Sequence, residues 1–162
     1  MRTSLLDDID RRIISHLQRD GRRPYTVIAR DVGLSEAGVR HRVARLIRRR
    51  VIQIVAASSP LDLGLMQAEA GITVRGDRLQ QVAEEIAALP DVDFVAISAG
   101  SFDLLVGLVC RDQQELLELL TRRIRSIKGV ERTEVFVYLK VLKDSYQWSP
   151  ISVAGEHSEK RR

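Results

Sequence analysis

The spacing of apolar residues changes once along this chain, at about residue 51, and that change limits the fold more than any other feature. Before it, apolar residues recur every three or four positions, as in amphipathic helices. After it, short runs rich in Val and Ile alternate with further helical patterns. The sequence therefore predicts an α+β protein, with a helical unit followed by a unit of helices and sheet.

Three helices are predicted before the change. The first runs from Leu6 to about Asp20, and the second begins at Pro24, whose missing N–H costs little at a helix start. Gly33 ends the second helix, and Ser35 can cap the third, which extends from about Glu36 to Arg50. Two short helices around such a turn predict a helix-turn-helix, in which the second helix enters the major groove of DNA.

The rest of the chain predicts a ferredoxin-like unit. Residues 51–57 are expected to form a strand beside the helices. The later elements follow the order strand, helix, strand, strand, helix, strand, which is the split β-α-β arrangement of ferredoxin-like folds. They are expected at residues 67–74, 77–89, 92–98, 103–110, 113–127 and 133–143.

These patterns divide the chain into four segments. Residues 1–52 form the helix-turn-helix domain, residues 53–65 a linker strand and connection, residues 66–148 the ferredoxin-like βαββαβ domain, and residues 149–162 a mobile tail. In the last strand both faces are apolar, with Val135 and Val137 on one and Phe136 and Tyr138 on the other. A sheet face without helices is expected to pack on another subunit, so the pattern predicts a homodimer at least.

Charge is distributed unequally between the two parts. Residues 1–50 contain 13 Arg against 6 Asp plus Glu, a net charge of +7, whereas residues 51–162 contain 13 Lys plus Arg against 16 Asp plus Glu, net −3. An Arg-rich segment is often only a solvated helix surface. Its coincidence with a helix-turn-helix pattern instead favours double-stranded DNA as the partner.

The third helix supplies the candidate DNA-binding residues. Small residues near its start allow close approach to base edges, and guanidinium groups bind phosphates or guanine. His41, Arg42 and Arg45 are the candidates for base contact, although an exposed, uninvolved His41 is an equal alternative, and Arg45→Ala is expected to weaken DNA binding. The full set is Ser35, Ala37, Gly38, Arg40, His41, Arg42, Arg45, Arg48 and Arg49.

Several short motifs together resemble the Lrp/AsnC family, the leucine-responsive and asparagine regulators, from about Leu6 to Trp148. They are Leu6-Asp7-Asp8-Ile9-Asp10-Arg11-Arg12-Ile13, Leu17-Gln18-Arg19-Asp20-Gly21-Arg22, Val32-Gly33-Leu34-Ser35, Arg42-Val43-Ala44-Arg45-Leu46, Val51-Ile52 and Gly100-Ser101-Phe102-Asp103. The start of the third helix departs from the family, since Ala37-Gly38 stands where members often have Pro or Thr.

The resemblance implies a transcriptional regulator with a winged helix-turn-helix, an amino-acid effector, and dimers that assemble further, for example into octamers. It places the effector at the loop formed by Gly100, Ser101, Phe102 and Asp103. Loop N–H groups suit a carboxylate and Asp103 an ammonium group. An ordinary hairpin turn, with Gly and Asp serving only local geometry, explains the same residues equally well.

Other classes of function have less support. The sirohaem decarboxylases share this architecture, but the only histidine after residue 66 is His157, so no enzyme activity is expected. Cys110 is the single cysteine, and no metal or cofactor site is predicted. An effector-independent DNA-organising protein remains open. With no apolar run of about 18 residues, we expect a cytoplasmic protein rather than a membrane protein.

Overall fold

The computed structural model, which describes residues 6–145, begins with the three helices that the sequence predicts. They are α1 (Asp8–Arg19), α2 (Tyr25–Val32) and α3 (Glu36–Arg48). Gly33 has a φ of +74°, a left-handed conformation that costs glycine little, and this residue ends α2 before the turn into α3. The helix-turn-helix is confirmed.

A small apolar core holds these helices together. Its buried members are spaced for the inner face of each helix, which is why three short helices of marginal individual stability form one unit. They are Ile13, Ile28, Ala29, Val32, Val39 and Val43.

The strand expected at residues 51–57 is wrong, and no wing strand forms in residues 6–56. A strand exists only when its backbone groups pair with a neighbouring strand. Residues 52–58 make no hydrogen bond with any part of the chain that the structure describes. A pattern rich in Val and Ile indicates strand preference, but it cannot supply the missing partner.

The second unit spans Ala57–Leu142 and has the βαββαβ order of a ferredoxin-like fold, as predicted. Its four antiparallel strands are arranged in the order β2-β3-β1-β4. The elements are β1 (Met66–Val74), α4 (Leu79–Ala87), β2 (Val92–Ile97), β3 (Leu104–Cys110), α5 (Gln113–Glu118) and β4 (Val130–Val137). A π-helical segment, Leu119–Ile124, continues α5.

Alternation along the strands places the core of this unit on one face of the sheet. In β3, Leu104, Val106, Leu108 and Cys110 are buried, while the residues between them are half-buried. The core residues pack with Val82 and Ile86 of α4 and with residues of α5 and its π-helical continuation. Both helices therefore cover the same face, and no helix of residues 57–142 covers the opposite face.

The last strand differs from the prediction at both ends. It begins at Val130 rather than Thr133 and ends at Val137 rather than residue 143. Its partner β1 starts at Met66, and the final cross-strand hydrogen bond runs from the N–H of Tyr138 to the carbonyl of Gln67, 2.9 Å. Beyond it, residues 139–145 pair with no strand in the part of the chain that the structure describes, and Leu139 and Leu142 are exposed.

None of the helices in residues 6–145 combines the length and apolar character needed to cross a bilayer. The tail predicted at residues 149–162 lies outside the described residues.

Candidate nucleic-acid interface and effector loop

One face of α3 points away from the other two helices. The residues that form it recur at helical spacing, and we call it the outward face. It consists of Ala37, Arg40, His41, Ala44 and Arg48. Four of these five were predicted as DNA-binding residues, and the structure brings them together on one surface.

The start of α3 is fixed by the capping residue Ser35. Its hydroxyl oxygen accepts a hydrogen bond from the N–H of Gly38, 3.1 Å. A Cβ atom at Gly38 would lie 3.3 Å from that oxygen, closer than side chains normally approach. The small residue at position 38 therefore fits the capped turn, and no side chain projects from the first turn of α3 at this position.

Arg40 is held at the edge of the outward face. Its guanidinium group donates to Glu36 Oε1 at 2.6 Å and lies 5.4 Å from the ring centroid of Tyr25. Contact with an aromatic ring favours a cation, and the ion pair restrains the side chain further. Arg40 therefore presents a positioned positive charge beside the helix start.

Arg42 and Arg45, two of the three candidates for base contact, do not lie on the outward face. Arg45 Nη2 donates to both carboxylate oxygens of Asp10, at 2.7 and 2.6 Å. Arg42 Nη1 donates to Asp10 Oδ1 at 2.8 Å and to Asp7 Oδ2 at 2.6 Å. Both guanidinium groups connect α3 to the first turn of α1 instead of pointing to solvent.

The importance of Asp10 was missed from the sequence, although a signal was present. Asp10 lies three and four positions before Ile13 and Ile14, so it belongs to the buried stripe of α1. A carboxylate on a buried stripe requires a cationic partner. An arginine in another helix was therefore to be expected as the partner of Asp10.

Arg48 and Arg49 are the exposed arginines at the end of α3. Neither side chain has a hydrogen-bond or ion-pair partner within residues 6–145, and the same is true of His41. Guanidinium groups that are not engaged within the protein remain free to bind an external anion.

Asp31 connects α2 to α1 in a similar way to Asp10. Its Oδ2 atom lies 2.8 Å from His16 Nε2 and 3.0 Å from Arg12 Nη2. The hydrogen bond from His16 and that from Arg12 lower the pKa of Asp31. The orientation of the helix-turn-helix therefore rests on two carboxylate clusters, one for each of α2 and α3.

Acid is expected to loosen this unit through Asp7. The hydrogen bond from Arg42 and that from the N–H of Asp10 hold the pKa of Asp7 below its ordinary value of 3.8. A carboxyl group with a lowered pKa in the folded state stabilises the fold above its ordinary pKa, and this contribution is lost as pH falls through the lowered value. The protection of α1 amides from hydrogen exchange, relative to the intrinsic rate at each pH, should therefore fall below about pH 4.

The control for this pH effect is Asp7→Asn. Asparagine still caps α1 but carries no charge, so its hydrogen exchange should respond less to acid. An unchanged acid response in this variant would assign the effect to other carboxylates.

The predicted effector residues form the β2–β3 turn, which is tied to the end of β1. Asp103 Oδ2 accepts a hydrogen bond from the N–H of Val74 at 2.8 Å, and the N–H of Asp103 donates to the carbonyl of Ile72 at 2.9 Å. Ser98 donates its hydroxyl to the carbonyl of Phe102, 2.6 Å. Asp103 thus has a local structural role through one of its two oxygens.

The top of this turn has unused donors. The N–H groups of Gly100 and Ser101 make no hydrogen bond with residues 6–145, and both residues are exposed. Asp103 Oδ1 has no partner in the same range. The turn therefore combines two donors with one acceptor, as a group containing both a carboxylate and an ammonium requires.

Phe102 anchors the turn to the sheet. A Cβ atom added at Gly71 would lie 2.5 Å from Phe102 Cδ2 and 2.6 Å from its Cγ, so the ring lies directly against the β1 backbone. Only glycine at position 71 leaves room for the ring. This contact holds the β2–β3 turn against β1.

The single cysteine, Cys110, is buried. Burial raises the pKa of the Cys110 thiol to about 11, which leaves little of the reactive thiolate at neutral pH. Within residues 6–145, no group of three His, Cys, Asp or Glu side chains is arranged to hold a metal ion.

Both units match described protein families. Residues 6–47 match the AsnC-type helix-turn-helix domain, and residues 67–148 match the Lrp/AsnC ligand binding domain. An uncharacterized HTH-type transcriptional regulator of Pyrococcus abyssi is 38% identical over 143 residues, which cover 87% of this chain and 90% of the relative. The HTH-type transcriptional regulator FL11 of Pyrococcus furiosus is 34% identical over 143 residues, which cover 87% and 94%.

Solved structures share the same architecture. A transcriptional regulator from Neisseria meningitidis, crystallised as a complex with L-Met, superposes with a TM-score of 0.75 at 22% identity. The match covers 89% of this chain and 96% of the other. At this identity the likeness shows a common fold.

Proposed function

Because this chain belongs to the Lrp/AsnC family of transcriptional regulators, we propose that it binds specific DNA sequences through the outward face of α3 and responds to an amino acid. One observation carries the DNA-binding part. Arg48 and Arg49 are exposed without partners in residues 6–145, whereas the other three arginines of α3 are paired with carboxylates.

The outward face fits a major groove in shape and charge. Ala37 and Gly38 allow the start of α3 to approach base edges, where His41 lies within reach as the candidate base contact. Arg40, Arg48 and Arg49 surround these residues and bind phosphates, while Ser35 caps the helix whose N–H groups face the duplex.

Removing Arg48 and Arg49 tests this interface. The double variant R48Q/R49Q should bind a duplex more weakly and lose about 0.9 in the log–log salt slope for each phosphate contact removed. Fluorescence anisotropy with a labelled duplex across a salt series measures both quantities. A genomic selection with the purified protein supplies the specific duplex.

The matched control removes the same charge from the other unit. R122Q/R125Q replaces two exposed arginines of the ferredoxin-like unit. If both double variants lose binding equally, net charge rather than the outward face accounts for the affinity.

The effector part rests on the donors and acceptor of the β2–β3 turn. The N–H groups of Gly100 and Ser101 suit a carboxylate, and the free oxygen of Asp103 suits an ammonium group. The L-Met complex of the Neisseria structure supports an amino acid as the ligand class. Such a ligand changes regulation only if it binds two arrangements of the protein with unequal affinity.

Titration with the twenty amino acids tests the effector. At a concentration 100 times its Kd, the effector should stabilise the protein by about 2.7 kcal/mol and raise its unfolding temperature. The matched variant is Asp103→Asn, which keeps an oxygen for the Val74 N–H but removes the charge, and it should abolish the response. If no amino acid acts on the wild type, an effector-independent DNA-organising protein becomes the better description.

The sheet face without helices supports a dimer. Phe94 and Phe136 are 54% and 48% exposed on this face, beside the half-buried Leu105 and Val109. Apolar side chains of this size gain stability when a second copy covers them. We expect homodimers that assemble further, for example into octamers, and light scattering of the ligand-free protein gives the mass.

A further inference from the structure

The helix-turn-helix unit contains a buried carboxylate that binds two arginines of α3. Asp10 is 1% exposed, and its two oxygens receive three hydrogen bonds of 2.6 to 2.8 Å from Arg42 and Arg45. The two guanidinium-bearing side chains are 23% and 31% exposed. The arginines thus lie at the border between the core and the solvent, with their charged groups turned inward.

A buried carboxylate keeps its cations strongly. If one of them left to bind a DNA phosphate, Asp10 would lose part of the compensation for its burial. A phosphate is itself exposed and hydrated, so the guanidinium group gains less from it than the buried Asp10 loses. Arg42 and Arg45 are therefore retained by the protein when it meets DNA.

We propose that Asp10 is a positioning residue that withholds Arg42 and Arg45 from the DNA backbone, so that the duplex meets only the outward face of α3. The proposal rests on the DNA-binding function proposed above. It assigns the two arginines a role different from that of Arg48, which lies on the same helix, and of Arg49, which follows its end.

The position of Arg45 on α3 determines where its side chain would lie if Asp10 did not bind it. Arg45 lies four residues after His41 and three before Arg48, so a released Arg45 side chain would reach the surface that they form. Arg42 has a second anchor in Asp7 and would remain held if Asp10 lost its charge.

The restraint would serve sequence discrimination. Contacts between arginine and phosphate strengthen binding to every sequence alike, whereas contacts to base edges distinguish sequences. Withholding two guanidinium groups lowers the sequence-independent part of the affinity and leaves the base contacts unchanged.

The experiment measures how the affinity of the full chain for a random-sequence duplex changes with salt concentration. The log–log salt slope is expressed per protomer and compared between variants. D10N should increase the slope by about 0.9, because it releases Arg45 to a phosphate. R45Q should leave the slope at the wild-type value, whereas R48Q should decrease it by about 0.9. The double variant D10N/R45Q should return to the wild-type slope.

The outcomes separate a positioning role from a purely structural one. If Asp10 only stabilised the fold, D10N would weaken binding without raising the slope, and adding R45Q would not reverse its effect. If R45Q lowered the slope as much as R48Q, Arg45 would already contact DNA and the proposal would be overturned. This last comparison decides the matter even if D10N fails to fold.

Failure of the proposed DNA-binding function gives a different result. A wild-type protein that binds no duplex would refute that function, and no salt slope could then be measured for any variant.

Discussion

Replacing both Arg42 and Arg45 with methionine is expected to destabilise the helix-turn-helix unit by about 3 to 5 kcal/mol. The double variant removes both guanidinium groups that pair with the carboxylate of Asp10, which is 1% exposed. Breaking a buried ion pair from one side costs far more than the pair contributes, because the remaining charge stays buried and unpaired. Methionine fills the volume of the aliphatic stems, so packing changes little.

Each single substitution should have a much smaller effect. Asp10 keeps one guanidinium partner in either R42M or R45M, and Arg42 in addition binds Asp7. The double variant should therefore be destabilised by more than the sum of the two single variants, as is typical of residues that share one partner.

Hydrogen exchange measured on peptides from α1 to α3 reports this loss within the intact chain. A local measurement is needed because a chain of two units does not unfold in a single two-state transition. The control R48M/R49M makes the same substitutions at exposed positions and should stay within about 0.5 kcal/mol of the wild type per site. Equal exchange in both double variants would mean that Asp10 does not depend on its arginines.

Local sequence patterns were sufficient for most of the fold. The three helices, the turn at Gly33 and the βαββαβ order were predicted because each element carries its own periodicity and its own start or stop signal. Strand extents were less predictable. Residues 52–57 and 139–143 have strand composition, but their backbone pairs with no strand in residues 6–145, and pairing is a property of the whole sheet rather than of the segment.

The candidate interface was predictable as a helix but not as a set of side chains. Helical spacing correctly placed Ala37, His41 and Arg48 on one outward face. It could not show that Arg45 turns toward α1, because an arginine at the border of two faces follows whichever anion it can reach. That anion, Asp10, is 35 residues away in sequence.

Substituting Gly71 with alanine is expected to destabilise the ferredoxin-like unit by about 1 to 3 kcal/mol, as overpacking does in well-filled sites. The new Cβ atom would lie 2.5 Å from the Phe102 ring, so the ring must leave the surface of β1. Phe102 belongs to the β2–β3 turn, and its displacement should also disturb the hydrogen bond from the Val74 N–H to Asp103. Because the proposed function places an effector at this turn, the variant should lose any response to amino acids seen in the wild type along with stability.

Two further variants make the test of Gly71 specific. Gly100→Ala adds the same methyl group where nothing lies within 4 Å, and it should leave stability within about 0.5 kcal/mol of the wild type. In the background of Phe102→Ala, which removes the ring, Gly71→Ala should cost much less, giving a coupling of about 0.5 to 3 kcal/mol. Hydrogen exchange of β1 and β3 peptides measures each value. If Gly71→Ala destabilised the unit equally with and without the Phe102 ring, the destabilisation would come from the β1 backbone and not from the contact with the β2–β3 turn.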